Sequence, residues 1–154
     1  MGSEVTRREV LAAGAGIALA ATAASYAKVL GSNETIGVGV IGVGGQGFHA
    51  HVQRLIKNPA VRVLGVCDIY KPRLDRAANA AKATPYHDYR ELCARPDVDV
   101  VVISSPDHWH HAHAMAALKA GKDVYLEKPM TYTVEEAKEI AAAVKASGRI
   151  LQVG

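Results

Sequence analysis

The chain of 154 residues carries a formal charge of +3, with 21% charged and 49% hydrophobic side chains. That length supports one compact core rather than several. The small positive excess is spread without a basic block or interleaved aromatics, which excludes nucleic acid as an expected partner.

In chain order, the first segment reads as a leader. Thr6-Arg7-Arg8-Glu9-Val10-Leu11 precedes an Ala- and Gly-rich apolar run to Ala24, and Ser25-Tyr26-Ala27 supplies a small-x-small cleavage pattern. This is the layout of a signal peptide, and the paired arginines make it the twin-arginine kind. The apolar run is about fifteen residues, short of the ~20 that cross a bilayer, so no stable membrane span is expected. An uncleaved signal acting as a membrane anchor is the alternative. Residues 1–27 thus read as an export signal to the periplasm, 28–34 as a linker and 35–154 as a folded domain. The signal contains two arginines and two glutamates, so its removal leaves the +3 unchanged.

From Thr35 onward strands and helices alternate. Ile36–Ile41 reads as a strand, followed by a helix from Gln46 to Lys57 with Phe48, Val52, Leu55 and Ile56 apolar, stopped by Asn58-Pro59. A second strand covers Val61–Cys67, and Pro72 opens a second helix with Leu74, Ala77, Ala78 and Ala81 on one face. A short extended piece at Thr84–Tyr86 leads into a small helix at Asp88–Ala94. Val98–Ser104 is the most apolar strand and is expected to lie central, covered on both faces. The helix Asp107–Ala120, the strand Asp123–Leu126, a helix capped by the Thr133-x-x-Glu136 box and a strand Arg149–Val153 complete the alternation. The pattern predicts an α/β fold, a doubly wound, mostly parallel sheet with helices on both faces.

The turn after the first strand carries the strongest chemical signal, Gly42-x-Gly44-x-x-Gly47. Gly42 lets the chain leave the strand sharply, Gly44 lets the backbone lie against a pyrophosphate, and Gly47 lets the next helix approach the sheet. Gly45 and Gln46 complete that loop, and the helix beyond points its free N–H groups at the anion. Gly37-x-Gly39-x-x-Gly42 also fits the pattern but lies inside the apolar run with no helix after it. Asp68, at the end of the second strand, is placed to accept the hydroxyls of an adenosine ribose, and its charge disfavours a 2′-phosphate. A dinucleotide is therefore the expected cofactor, NAD ahead of NADP, with Lys71 and Arg73 softening the preference. Export of an already folded protein suits one that loads a cytoplasmic cofactor.

Two later loops leave the same ends of the predicted strands: Ser104-Ser105-Pro106-Asp107-His108-Trp109-His110 and Glu127-Lys128-Pro129. The histidines at 108, 110, 111 and 113 lack a carboxylate or cysteine at suitable spacing, so no metal site is expected. Cys67 and Cys93 read as buried free thiols.

With the EKP tripeptide in place, the order of GxGxxG, an acid after the second strand, SPDxxH and AGKxVxxEKPMTxTxEEA resembles the N-terminal half of the Gfo/Idh/MocA family of glucose–fructose oxidoreductase and inositol dehydrogenase. The resemblance covers Thr35 to Gly154. It implies that Gly42, Gly44 and Gly47 cradle the pyrophosphate and Asp68 the ribose. Ser105, Pro106 and His110 would line the way to the nicotinamide, with Glu127 beside its ribose. Lys128 would face the substrate hydroxyl, where an ammonium stabilises developing alkoxide as hydride leaves, and the Lys128–Pro129 bond would be cis. Family members continue into a second, sheet-rich domain holding the substrate pocket and further acid/base residues. No residue of this chain takes those roles, so the resemblance also implies an incomplete enzyme with an uncovered apolar edge and a tendency to form homo-oligomers. Three functions follow: oxidoreduction of a secondary alcohol on a sugar, polyol or related substrate; NAD-dependent glycoside cleavage; and dinucleotide binding without turnover.

Overall fold

The computed structural model describes residues 35–154, so the predicted signal and linker lie outside the described residues. Ile36–Ile41 forms β1, and the helix after it, α1, begins with a π-helical stretch, Gly47–Val52, that runs on into α-helical Gln53–Leu55. π-Helical turns are frequent at functional sites. Then come β2 (Val61–Cys67), α2 (Lys71–Ala81), β3 (Thr84–Tyr86) and α3 (Tyr89–Cys93). The second half holds β4 (Val100–Ile103), a 3-10 turn Asp107–Trp109 opening α4 (His110–Lys119), β5 (Asp123–Leu126), α5 (Val134–Ser147) and β6 (Leu151–Val153).

All strand pairs are parallel, and the sheet runs β3-β2-β1-β4-β5-β6. The chain therefore winds outward in one direction from β1 and in the other from β4, placing the topological switch between them. The six strands also end in step. Ile41 pairs with Cys67 and Ile103, Cys67 with Tyr86, Ile103 with Leu126, and Leu126 with Val153. The residues that follow, among them Gly42, Asp68, Ser104 and Glu127, consequently share one rim.

Each face of the sheet has its own core. Val38, Val40, Phe48, Val52, Val66 and Leu74 pack α1 and α2 on one side; Ile41, Leu92, Val101, Ile103, Ala114 and Leu126 pack α3 and α4 on the other. Gly39 and Gly65 face Leu92, and a Cβ on Gly39 would come within 3.1 Å of it. Gly39 of the unused motif register thus serves helix packing.

The central strand starts two residues later than its apolar run suggests. Lys122, 8% exposed, donates from Nζ to the carbonyls of Arg95 (2.6 Å) and Val98 (2.8 Å). Val98 is buried, but its carbonyl is turned to that ammonium instead of joining a ladder. The box on α5 forms as predicted, Thr133 accepting from the Glu136 amide while Glu136 accepts from the Thr133 amide. Only Ile140 of that helix is buried, and Val134 stays exposed, as do Tyr132 and Ile150 nearby.

Candidate functional site

The glycine loop owes its shape to two different constraints. Gly42 has φ +82, a conformation side chains rarely adopt, and a Cβ there would sit 2.5 Å from the Ser105 amide nitrogen. A Cβ on Gly47 would run into the Gly42 carbonyl and approach Ser104 Oγ to 2.5 Å. These two glycines are demanded by the protein itself. Gly44 and Gly45 are not: a Cβ on Gly44 meets only Arg73 at ordinary contact distance, and one on Gly45 meets nothing within 4 Å. Their bare backbone opens instead onto a cleft of about 800 Å³ lined by Gly44, Gly45, Asp68, Tyr70, Ser105 and Trp109 among others. A volume of that order suits a cofactor, and the first turn of α1 leaves backbone N–H groups free for an anion. The residues present fit a dinucleotide.

Asp68 has a second task that sequence reasoning missed. Its Oδ2 accepts from the Val43 amide (3.0 Å) and its Oδ1 from the Tyr70 amide (2.9 Å). It thereby ties the glycine loop to the turn into α2, and each oxygen retains a lone pair for a sugar hydroxyl. The Asp-x-x spacing before a helix is a visible signal for the second of these bonds. Lys71, expected to blunt the preference for NAD, is paired with Asp75 (2.6 Å), whereas Arg73 lines the cleft beside Gly44. Arg76 lies over the Phe48 ring and donates to the Val43 carbonyl (3.3 Å), bracing the loop from behind.

On the other side of the switch, Ser105 and Pro106 line the cleft. His110 is placed differently. It lies beneath the loop, 1% exposed, with Nε2 2.8 Å from the Ser105 carbonyl oxygen and Nδ1 2.7 Å from the Pro129 carbonyl oxygen. The histidine on the cleft wall is His113, to which the sequence analysis gives no role in cofactor binding. His113 Nδ1 lies 3.0 Å from Ser105 Oγ, and its ring stacks on Trp109 at 5.6 Å. Burial, reinforced by the neighbouring His110 and Arg90, brings its pKa down from 6.5 to about 4. It is neutral at physiological pH and able to accept the Ser105 hydroxyl proton.

The EKP tripeptide leaves β5 on the same rim, and the Lys128–Pro129 bond is cis. Glu127 is buried, accepting from His51 Nε2 (2.7 Å), Gln46 Nε2 (3.3 Å) and the Lys128 amide (3.2 Å). Burial pushes its carboxyl up, but those three donors outweigh it and hold it below the ordinary carboxylate value. Its carboxylate is thus engaged with α1. No sequence spacing marks His51 as its partner, 76 positions away. The Lys128 side chain is exposed.

Cys67 and Cys93 are free and buried, their thiols pushed up to about 12 and about 11, chiefly by burial, which makes them unreactive. Among the described residues no three His, Cys, Asp or Glu side chains come together to hold a metal, and His111 instead lies 2.8 Å from Glu139 of α5.

Comparison with known proteins agrees with this geometry. The profile of the Gfo/Idh/MocA oxidoreductase family, NAD-binding Rossmann fold, matches residues 36–154. A glycosyl hydrolase family 109 protein of Shewanella baltica is 35% identical, the match covering 82% of this chain and 32% of the relative. An NAD-binding oxidoreductase from Klebsiella pneumoniae is 35% identical with a TM-score of 0.69, covering 78% of this chain and 34% of that one. A 3-ketoreductase from Actinomadura kijaniata, solved with NADP and TDP-benzene, is 29% identical with a TM-score of 0.73, over 78% of this chain and 37% of that one. The chain spans about a third of the length of the relatives it matches. A doubly wound sheet, a glycine cradle with an acid beside it and a matching profile together establish that this chain belongs to the Gfo/Idh/MocA oxidoreductase family and carries its NAD-binding Rossmann domain.

Proposed function

We propose that this chain provides the cofactor half of an oxidoreductase acting on a secondary alcohol or ketone of a sugar, polyol or related substrate. The observation that carries the reading is the common rim: Gly42, Asp68, Ser104 and Glu127 directly follow strands that end in step, so the cradle and the EKP tripeptide leave the same edge of the sheet. Gly44 and Gly45 would hold the pyrophosphate, Asp68 the adenosine ribose, and Ser105 and Trp109 would border the nicotinamide end. NAD supplies hydride acceptance when bound. Lys128 would donate to the substrate oxygen and stabilise negative charge there, moving a proton to or from it. NAD is the favoured dinucleotide because of Asp68, and Arg73 beside the cradle makes NADP admissible.

Glycoside cleavage is the second reading, supported by the family 109 relatives; binding without turnover is the third. The Arg7-Arg8 pattern supports twin-arginine export to the periplasm, and the exposed Tyr132, Val134 and Ile150 support self-association. Calorimetric titration with NAD and NADP tests the common premise, with saturation by NAD at micromolar concentration expected. Failure of both to bind at millimolar concentration rejects all three readings. Incubation with NAD and a panel of polyols and glycosides then separates them: NADH accumulates in the first case, a free sugar is released in the second, and neither appears in the third.

A further inference from the structure

Lys128 is gripped on both sides. The carboxylate of the residue before it, Glu127, accepts from His51 and Gln46 of the glycine-loop segment, and the carbonyl of the residue after it, Pro129, accepts from His110. The other ring nitrogen of His110 bonds the Ser105 carbonyl. Carbonyl oxygens only accept, so each of these bonds needs a proton on its ring nitrogen. A neutral ring would aim a bare lone pair at an oxygen 2.7 or 2.8 Å away, in a place 1% exposed to water. Burying the charged ring costs free energy, which two charge-assisted bonds offset.

We infer that His110, protonated on both ring nitrogens, acts together with His51 as a brace that fixes the Lys128 backbone relative to the Ser105 loop and the glycine loop. Both are positioning residues: neither lines the cleft, and each acts through a neighbour of Lys128. The brace makes the EKP loop a keystone between the cradle and the nicotinamide end, so that small displacements of either loop are passed to the lysine. The functional part of this inference rests on the proposed role of Lys128; the protonation of His110 does not.

Two measurements on the full chain test it. In nitrogen-15 spectra recorded at neutral pH, both ring nitrogens of His110 are expected to show directly bonded protons, and a single protonated nitrogen would overturn the brace as described. Acylation of Lys128, followed by mass spectrometry with and without saturating NAD, is expected to slow when cofactor binds. That protection should be lost in His110→Gln and His51→Gln, each measured at its own saturating cofactor concentration. Undiminished protection in both variants refutes the positioning role. If the unaltered chain binds no NAD, the functional proposal falls while the ring-nitrogen result still decides the protonation. Should the variants fail to fold, that spectrum, recorded on the unaltered chain, decides alone.

Discussion

The two sides of the sheet's switch point build their share of the site by different means. On the β1–β2 side, backbone does the work: Gly42 turns the chain, Gly47 admits the helix, and Gly44 and Gly45 leave a bare surface over the cleft. On the β4–β5 side, side chains do it, with His110 joining the Ser105 and Pro129 carbonyls and Glu127 joining β5 to α1. A backbone-built site is set by steric exclusion, by the protein itself at Gly42 and Gly47 and toward a bound ligand at Gly44 and Gly45. A side-chain-built one is set by hydrogen bonds across long sequence separations and answers to protonation. The difference teaches that the cradle should fail by substitution and the EKP side by pH.

The largest expected effect lies on the backbone side. Gly47→Ala places a methyl group against the Gly42 carbonyl, which cannot move without disturbing the turn. A loss of about 3 kcal/mol or more is expected in denaturant unfolding, and an unchanged midpoint would mean that this junction yields.

Next comes the titration of His113 on the side-chain side. Its folded-state pKa of about 4 lies below the ordinary 6.5. Above pH 6.5 the ring is neutral in both folded and unfolded chain, so its contribution is fully present. As pH falls from 6.5 towards about 4 the unfolded chain takes up a proton that the folded one refuses, and stability drops. The total is on the order of 3 kcal/mol. Thermal melts across that window should show the slope in the native chain and a flatter one in His113→Gln; equal slopes would place the acid sensitivity elsewhere.

The smallest change in stability is the sharpest test of the cradle. Gly45→Ala adds a methyl group to open space, so stability should stay within about 0.5 kcal/mol. Its NAD affinity is nevertheless expected to fall about tenfold, some 1.4 kcal/mol. Unaltered affinity would show that the open backbone does not face the cofactor.

Several features were legible in the chain as written because their cause is local. A positive φ needs glycine, so Gly42 announced the turn. The box Thr133-x-x-Glu136 announced the start of α5. The Gly37 register could be set aside because no helix follows it, and its Gly39 instead packs on Leu92. Lys122 was less legible. A lysine after a glycine reads as surface, yet it caps two carbonyls at the entrance to β4. His113 was hidden for the same reason: its partners, Tyr89 and Ser105, come from other elements.

What the sequence alone determined is the parallel α/β architecture, the position of the cradle and the residue types that meet a dinucleotide, since periodicity, glycine sterics and charge act over a few neighbouring residues. What only the tertiary structure decided is which histidine faces the cleft, which lies beneath it, and that Glu127 is spent on His51. Those choices depend on strands that end in register and on hydrogen bonds closed across the sheet, and bonds of that kind leave no periodic trace in the chain.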